Sequence, residues 1–247
     1  GGSVYDFISG LQVGIANLGN SPAAIKKLVF EEGTITKGTL MENLKNNFNG
    51  KDGEKVRQVL LNYAPKYGND DDYVDKLLYE AYMYYINELP KYRTTRFGRG
   101  PIGCRYYAGT SSISSNVPSG SVVPTTPDGR KAFTPLAEGS SPTSGTDTLG
   151  PTAVFKSVSK LPTNRILGGV LLNQKLSPSA LKNETQKEKL ILIIRTFFET
   201  LRGWHVQYNI VSRDTLLAAK KNPENYRDLV VRVAGYSAFF TTLSPDT

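Results

Sequence analysis

Side chains able to do chemistry are few in this sequence. His205 is the only histidine and Cys104 the only cysteine in 247 residues. Neither a histidine-based metal cluster nor a multi-cysteine zinc or iron–sulfur site can be assembled from them, so no metal site is expected. A lone cysteine makes no intramolecular disulfide and suits a reducing, cytoplasmic setting. His205 lies in a strand-like run and reads as a hydrogen-bonded structural residue. The glycines of Phe97–Gly103, "FGRGPIG", lack the preceding strand and following helix of a phosphate loop. What remains is a stretch near the end, Val231-Arg232-Val233-Ala234-Gly235-Tyr236-Ser237-Ala238-Phe239-Phe240. Two β-branched or aromatic runs flank one glycine there. Pattern alone gives a hairpin with Gly235 supplying a positive φ at its turn.

The elements that must position these residues fall into two compositions. Residues 1–20 are glycine-rich and without helical period, which reads as a loop. Ser21 as N-cap and Pro22 at the first helical position predict a helix over 22–32. Thr36 caps a second helix, with Leu40, Leu44 and Phe48 on one face, and a third covers about 54–63. Asp70 to Asp72 place negative charge at the start of a fourth, amphipathic helix that runs to Pro90. This half is a helical layer.

From Tyr92 to Thr152 the chain turns to Gly, Ser, Thr and Pro. Sixty structureless residues would be unusual inside a compact chain. "CRYYAG", "ISSNVP" and "SVVP" read as short extended pieces, and "TPDGRKA" as a Pro-Asp-Gly turn. Residues 165–176 read as a buried strand. A helix follows over 187–201, with Leu190, Ile194, Phe197, Phe198 and Leu201 inward. "GWHVQYNIVS" alternates with period two: Trp204, Val206, Tyr208 and Ile210 lie on one face, His205, Gln207 and Asn209 on the other. That polar face either lines a cavity or meets solvent. A short helix over 214–221 leads to the hairpin, and the recurring strand–helix–strand order makes the fold α/β.

Totals narrow the function classes. No run of about 18 apolar residues is present, so no membrane span or membrane partner is expected, and no secretory signal opens the chain. The net charge is +8, but the basic residues are scattered and sit beside acids in helical patterns. They read as a solvated surface and not as a nucleic-acid footprint.

The string Arg232-Val233-Ala234-Gly235-Tyr236 resembles the signature of glycyl radical enzymes, and the likeness continues into Phe239, Phe240 and Leu243. Two further strings agree with it: Ser114-Ser115-Asn116-Val117-Pro118-Ser119-Gly120, and "TPDGRKA" with the Pro135-Leu136-Ala137-Glu138-Gly139 that follows. The resemblance implies that Gly235 stores a backbone radical, with Arg232, Val233, Ala234, Tyr236 and Ser237 as its loop neighbours. A glycine suits this role. A radical on Cα delocalises into both flanking peptide planes, and a side chain would twist them out of conjugation. The apolar flanks fit a buried, dry loop tip.

The same resemblance implies a fold, a partner and a reaction class. The fold would be the C-terminal part of a ten-stranded β/α barrel, with a helical layer outside and the glycine loop inserted in its centre. Residues 1–135 would belong to the pyruvate formate-lyase-like domain and 136–247 to the glycine radical domain. No cofactor would be bound; a separate radical S-adenosylmethionine [4Fe-4S] activating enzyme would install the radical. The full-length protein is expected to be a homodimer acting on a small molecule. Ala234 and Ser237-Ala238-Phe239-Phe240 look like the eliminating branch, the glycerol and hydroxyproline dehydratases and the choline and isethionate lyases. The alternatives are a formate C-acetyltransferase type, an arylacetate decarboxylase or alkylsuccinate synthase, or a rescue subunit that lends its glycine to a damaged partner.

Cys104 departs from the pattern. The family's thiyl cysteine sits in Gly-Cys-x-Glu, whereas here the run is Gly103-Cys104-Arg105-Tyr106. The thiyl role is therefore not carried over, and the thiyl cysteine is expected upstream of residue 1. Gly1-Gly2-Ser3 reads as a linker scar, and family members usually continue past Thr247, so truncation at both ends is expected and this chain alone should be inactive. Substrate contacts are sought in the segment holding Arg105, Ser111 and Ser115, because an arginine suits a carboxylate or sulfonate.

Overall fold

Strand β1 (Ile8–Leu11) and helix α1 (Ile15–Ala24) open the fold; the computed structural model describes residues 2–110, 114–233 and 235–244. A helix starting at Pro22 is thus too late: Pro22 lies inside α1, which begins after Gly14 in the left-handed region. The reason is tertiary. Asn17 and Asn20, which spoil any apolar period, point into the protein. The Asn17 amide donates to Asp128 Oδ2 at 2.6 Å and its oxygen accepts from Ala137 N at 2.7 Å. Asn20 Oδ1 accepts from Tyr67 N at 2.8 Å. Past Pro22, which offers no N–H, the helix widens into a π-helical turn over Ile25–Glu31.

Helices α2 (Lys37–Lys45), α3 (Gly53–Asn62) and α4 (Asp72–Glu88) match the expected positions. Thr36 Oγ1 accepts from Thr39 N at 3.1 Å and Asp71 Oδ1 from Tyr73 N at 2.9 Å, each satisfying an orphan helix donor. Gly19 on α1 lets α4 approach, since a Cβ there would lie 2.8 Å from Leu78 Cβ. Two cores result. One joins the end of α1 to α2 and α3 through Leu28, Leu40, Phe48 and Leu60. The larger joins α1 and α4 to the second half through Ile15, Tyr82, Phe155, Leu172 and Phe197.

The polar stretch after α4 is held by its own side chains. Strand β2 (Tyr106–Gly109) pairs in parallel with β1, Ile8 opposite Tyr106. The "TPDGRKA" turn is present: Gly129 N donates to Thr126 O at 3.1 Å. Arg130 is buried and gives its guanidinium to the carbonyls of Val123, Pro124, Lys131 and Thr134 at 2.5–3.1 Å. One buried arginine thus satisfies backbone acceptors that a strand ladder would otherwise take. "SVVP" accordingly forms no strand. "ISSNVP" is not extended either: its asparagine opens the short helix α5 (Asn116–Gly120), tied down where Asn116 O accepts from Leu136 N at 3.1 Å.

Helix α6 (Pro151–Ser159) precedes a parallel pair, β3 (Asn173–Leu176) and β4 (Gln207–Ile210), linked by α7 (Glu184–Arg195). The strand predicted over 165–176 shrinks to β3, although Val170, Leu171 and Leu172 before it are buried. Only one of the five predicted inward residues after 187 is buried. A π-helical turn over Thr196–Thr200 puts Phe197 against Phe155, ring centroids 4.0 Å apart, and leaves Phe198 40% exposed. Helix α8 (Arg213–Lys221), capped by Ser212, leads to the antiparallel hairpin β5 (Val230–Arg232) and β6 (Ser237–Phe239). Among the described residues the six strands form three two-stranded sheets, two of them parallel. The architecture is α/β.

Candidate functional site: the glycine hairpin and the amide face beneath it

The hairpin is closed by Val233 N donating to Tyr236 O at 2.9 Å, and Gly235 sits in its turn with φ 79. That value lies in the region glycine adopts without strain. Ala234 falls outside the described residues. On the polar face of β4, Asn209 lines a cavity, and with Gln207 it grips the hairpin. Gln207 is 8% exposed. Asn209 mimics a neighbouring strand: its Oδ1 accepts from Arg232 N at 2.7 Å and its Nδ2 donates to Arg232 O at 2.5 Å. Asn173, opposite Gln207 in the β3–β4 register, donates to Val233 O at 3.2 Å. The Gln207 amide donates to Asn173 Oδ1 and, at 3.4 Å, to Val233 O.

These contacts converge on Gly235. Gln207 Oε1 accepts from Arg232 Nε at 3.0 Å and from Gly235 N at 3.4 Å. Arg232 Nη2 donates to Gly235 O at 3.1 Å and Nη1 to Ser237 Oγ at 3.3 Å. Both peptide groups flanking the Gly235 Cα therefore have side-chain partners. His205, half-buried two residues before β4, is held below its usual pKa by burial and then by the Arg232 charge. Its Nδ1 is buried and, among the described residues, without a hydrogen-bond partner, so the hydrogen-bonded role expected of it is not what the structure places there.

Within this chain taken by itself the tip is open. Gly235 is exposed, and a Cβ built on it would meet nothing within 4 Å. Tyr236 and Phe239 are 39% and 49% exposed, while Val231, Val233 and Phe240 are half-buried. The cause is geometric: β4 and Asn173 cover one side of the hairpin, and the apolar residues flanking the glycine divide between the two sides.

Beside the hairpin lies a cleft of about 1060 Å³ lined by Ser114, Glu138, Asn173, Lys175, Asn209 and Arg232 among others. Burial pushes the Glu138 carboxyl above the usual range, against an opposing hydrogen bond from Asn173. Of the proposed substrate contacts, Arg105 is exposed with its guanidinium 5.5 Å from the Phe97 ring centre and does not line the cleft. Ser115 precedes α5 beside the cleft, and its neighbour Ser114 places its hydroxyl 3.4 Å from the Tyr236 hydroxyl. Ser111 falls outside the described residues. Glu138, Asn173, Gln207 and Asn209 were not singled out from sequence, although the last two stand on the period-two polar face.

Cys104 is fully buried at φ 42, with its sulfur 3.4 Å from Thr94 Oγ1 and its carbonyl accepting from the same hydroxyl at 2.8 Å. It is a packing group. In the full-length protein Cys104→Ser is expected to leave turnover close to wild type and to lower stability by about 1 kcal/mol, the scale of one altered buried polar contact. Loss of turnover with radical uptake intact at Gly235 would show that Cys104 does carry the thiyl. Among the described residues no group of three or more His, Cys, Asp or Glu could hold a metal ion, and no helix is long and apolar enough to cross a membrane.

A parallel α/β framework here presents a glycine turn on a face of side-chain amides. Two family models match the chain: pyruvate formate lyase-like over residues 1–120, and glycine radical over residues 136–241. The chain belongs to the glycyl radical enzyme family. It is 68% identical over 246 residues to the probable dehydratase YbiW of Escherichia coli (strain K12), covering 100% of this chain and 30% of that protein. It is 44% identical over 239 residues to the isethionate sulfite-lyase of Oleidesulfovibrio alaskensis, covering 95% of this chain and 27% of that one. The glycerol-bound structure of the B12-independent glycerol dehydratase from Clostridium butyricum matches with a TM-score of 0.89 at 46% identity, over 100% of this chain and 30% of that one. The chain thus spans about 30% of the length of these larger barrel enzymes and corresponds to their C-terminal portion.

Proposed function

We propose that this chain is the radical-storing portion of a glycyl radical lyase of the dehydratase type. The observation that carries the reading is the turn at Gly235, with both flanking peptide groups hydrogen-bonded by side chains, Gln207 on one and Arg232 on the other. A planar radical requires Gly235 to flatten from φ 79. Flexible side-chain partners can follow that rotation where a β-ladder would have to break. On this reading residues 1–135 belong to the lyase-like domain and 136–247 to the radical domain.

The chemistry runs on single hydrogen atoms. A radical S-adenosylmethionine activating enzyme with a [4Fe-4S] cluster removes one hydrogen atom from the Gly235 Cα, leaving one unpaired electron there. Gly235 later takes a hydrogen atom from a cysteine thiol in the part of the enzyme this chain does not span. The resulting thiyl removes a hydrogen atom from the substrate. A hydroxyl then leaves from the neighbouring carbon as water, together with a proton given up by the substrate radical. The product radical that remains takes a hydrogen atom back from the thiol. Return of the hydrogen atoms restores both thiyl and glycyl. The rest of the barrel closes over the open side of the hairpin. The full-length protein is a cytoplasmic, oxygen-sensitive homodimer of anaerobic metabolism.

The relatives named above remove water or sulfite by their names, which favours an elimination here. Activated full-length protein should be offered glycerol, propane-1,2-diol, trans-4-hydroxyproline, choline and isethionate anaerobically. Water loss from a diol or hydroxyproline is expected. Formation of acetyl-coenzyme A from pyruvate, with none of these consumed, would move the protein to the acyl-transferring branch.

A further inference from the structure

We propose that Gln207 and Arg232 are positioning residues that tune the radical itself, by polarising the two peptide groups through which its spin spreads; this rests on Gly235 as the radical site. The unpaired electron at a glycyl Cα is shared with an electron-donating N–H group on one side and an electron-withdrawing C=O on the other. Arg232, a permanent cation, donates to the Gly235 carbonyl at 3.1 Å and strengthens the withdrawal. Gln207 Oε1, accepting from Gly235 N at 3.4 Å, leaves more electron density on that nitrogen and strengthens the donation. Both effects draw spin off the Cα.

The orientation of the Gln207 amide follows from its partners. Its nitrogen side meets only acceptors, Asn173 Oδ1 and Val233 O. Its oxygen side meets only donors, Arg232 Nε and Gly235 N. A flipped amide would set like against like on both sides, so Oε1 is fixed toward Gly235. Asn209 performs the separate task of holding the strand, because it bonds to the main chain of Arg232 and leaves the guanidinium free for the glycine.

The test uses activated full-length protein carrying ¹⁵N-glycine, read by electron paramagnetic resonance and by electron–nuclear double resonance. In the wild type an exchangeable-proton coupling from the Arg232 guanidinium is expected. Gln207→Ala should widen the Cα-proton splitting and shrink the ¹⁵N coupling. Gln207→Glu, which keeps a stronger acceptor beside Gly235, should shift both in the opposite direction. Splittings unchanged in both variants, or displaced the same way in both, would overturn the tuning and leave a structural clamp. If neither variant accepts a radical, the wild-type coupling decides alone: its presence supports the proposal and its absence ends it. A wild-type protein with no doublet would instead remove Gly235 as the radical site, a separate failure.

Discussion

Gly235→Ala in the full-length protein is expected to abolish the radical signal and all turnover while the protein still folds. The structure separates the two effects. Within this chain a methyl group at position 235 meets nothing within 4 Å, so none of this chain's own packing is disturbed. Its backbone cost is the left-handed conformation at φ 79, about 1–2 kcal/mol for a residue with a Cβ. That is a small part of a domain's stability. The radical is another matter. Its stability comes from coplanarity of the Cα with both flanking peptides, and the methyl would press against them in the flattened state. Anaerobic reconstitution with the activating enzyme, followed by electron paramagnetic resonance and thermal unfolding, checks both halves. A doublet surviving unchanged in Gly235→Ala would place the radical elsewhere.

The second large effect is cleavage by air. A carbon-centred backbone radical adds dioxygen to give a peroxyl species, and the main chain breaks at that residue. Within this chain Gly235 is exposed and Tyr236 and Phe239 are partly so; protection therefore depends on the proposed closure of the barrel over the hairpin. The hairpin is attached to β3 and β4 through the side chains of Asn173, Gln207 and Asn209 and, among the described residues, not through a main-chain ladder. It can detach as a unit by giving up a few hydrogen bonds, on the slow timescale of local opening. Exposure of activated full-length protein to air should yield two fragments divided at Gly235, while unactivated protein stays whole. Mass spectrometry of the two samples decides it. An intact activated chain after the radical signal has gone would count against Gly235 as the radical's resting place.

Much of this was legible in the sequence because it is local. The hairpin follows from two β-branched and aromatic runs about one glycine, and the signature lies within ten consecutive residues. The caps at Thr36 and Asp71 are contacts across two or three residues, which is why those helices were placed well. Cys104 is set aside from its immediate neighbours alone; the structure adds that it is fully buried.

Only the tertiary structure decided what depends on partners far along the chain. Helix α1 begins at Ile15 because Asn17 and Asn20 find acceptors and donors in residues 67–137, and no periodicity records that. Period-two alternation put Gln207 and Asn209 on one polar face but left open whether that face met solvent or a cavity. A strand's alternation says which residues share a side; what covers that side is set by the hairpin 23 to 28 residues later. The exposure of Gly235 is of the same kind. The apolar runs around it promise burial somewhere, yet burial needs walls, and within this chain β4 and Asn173 supply one wall only.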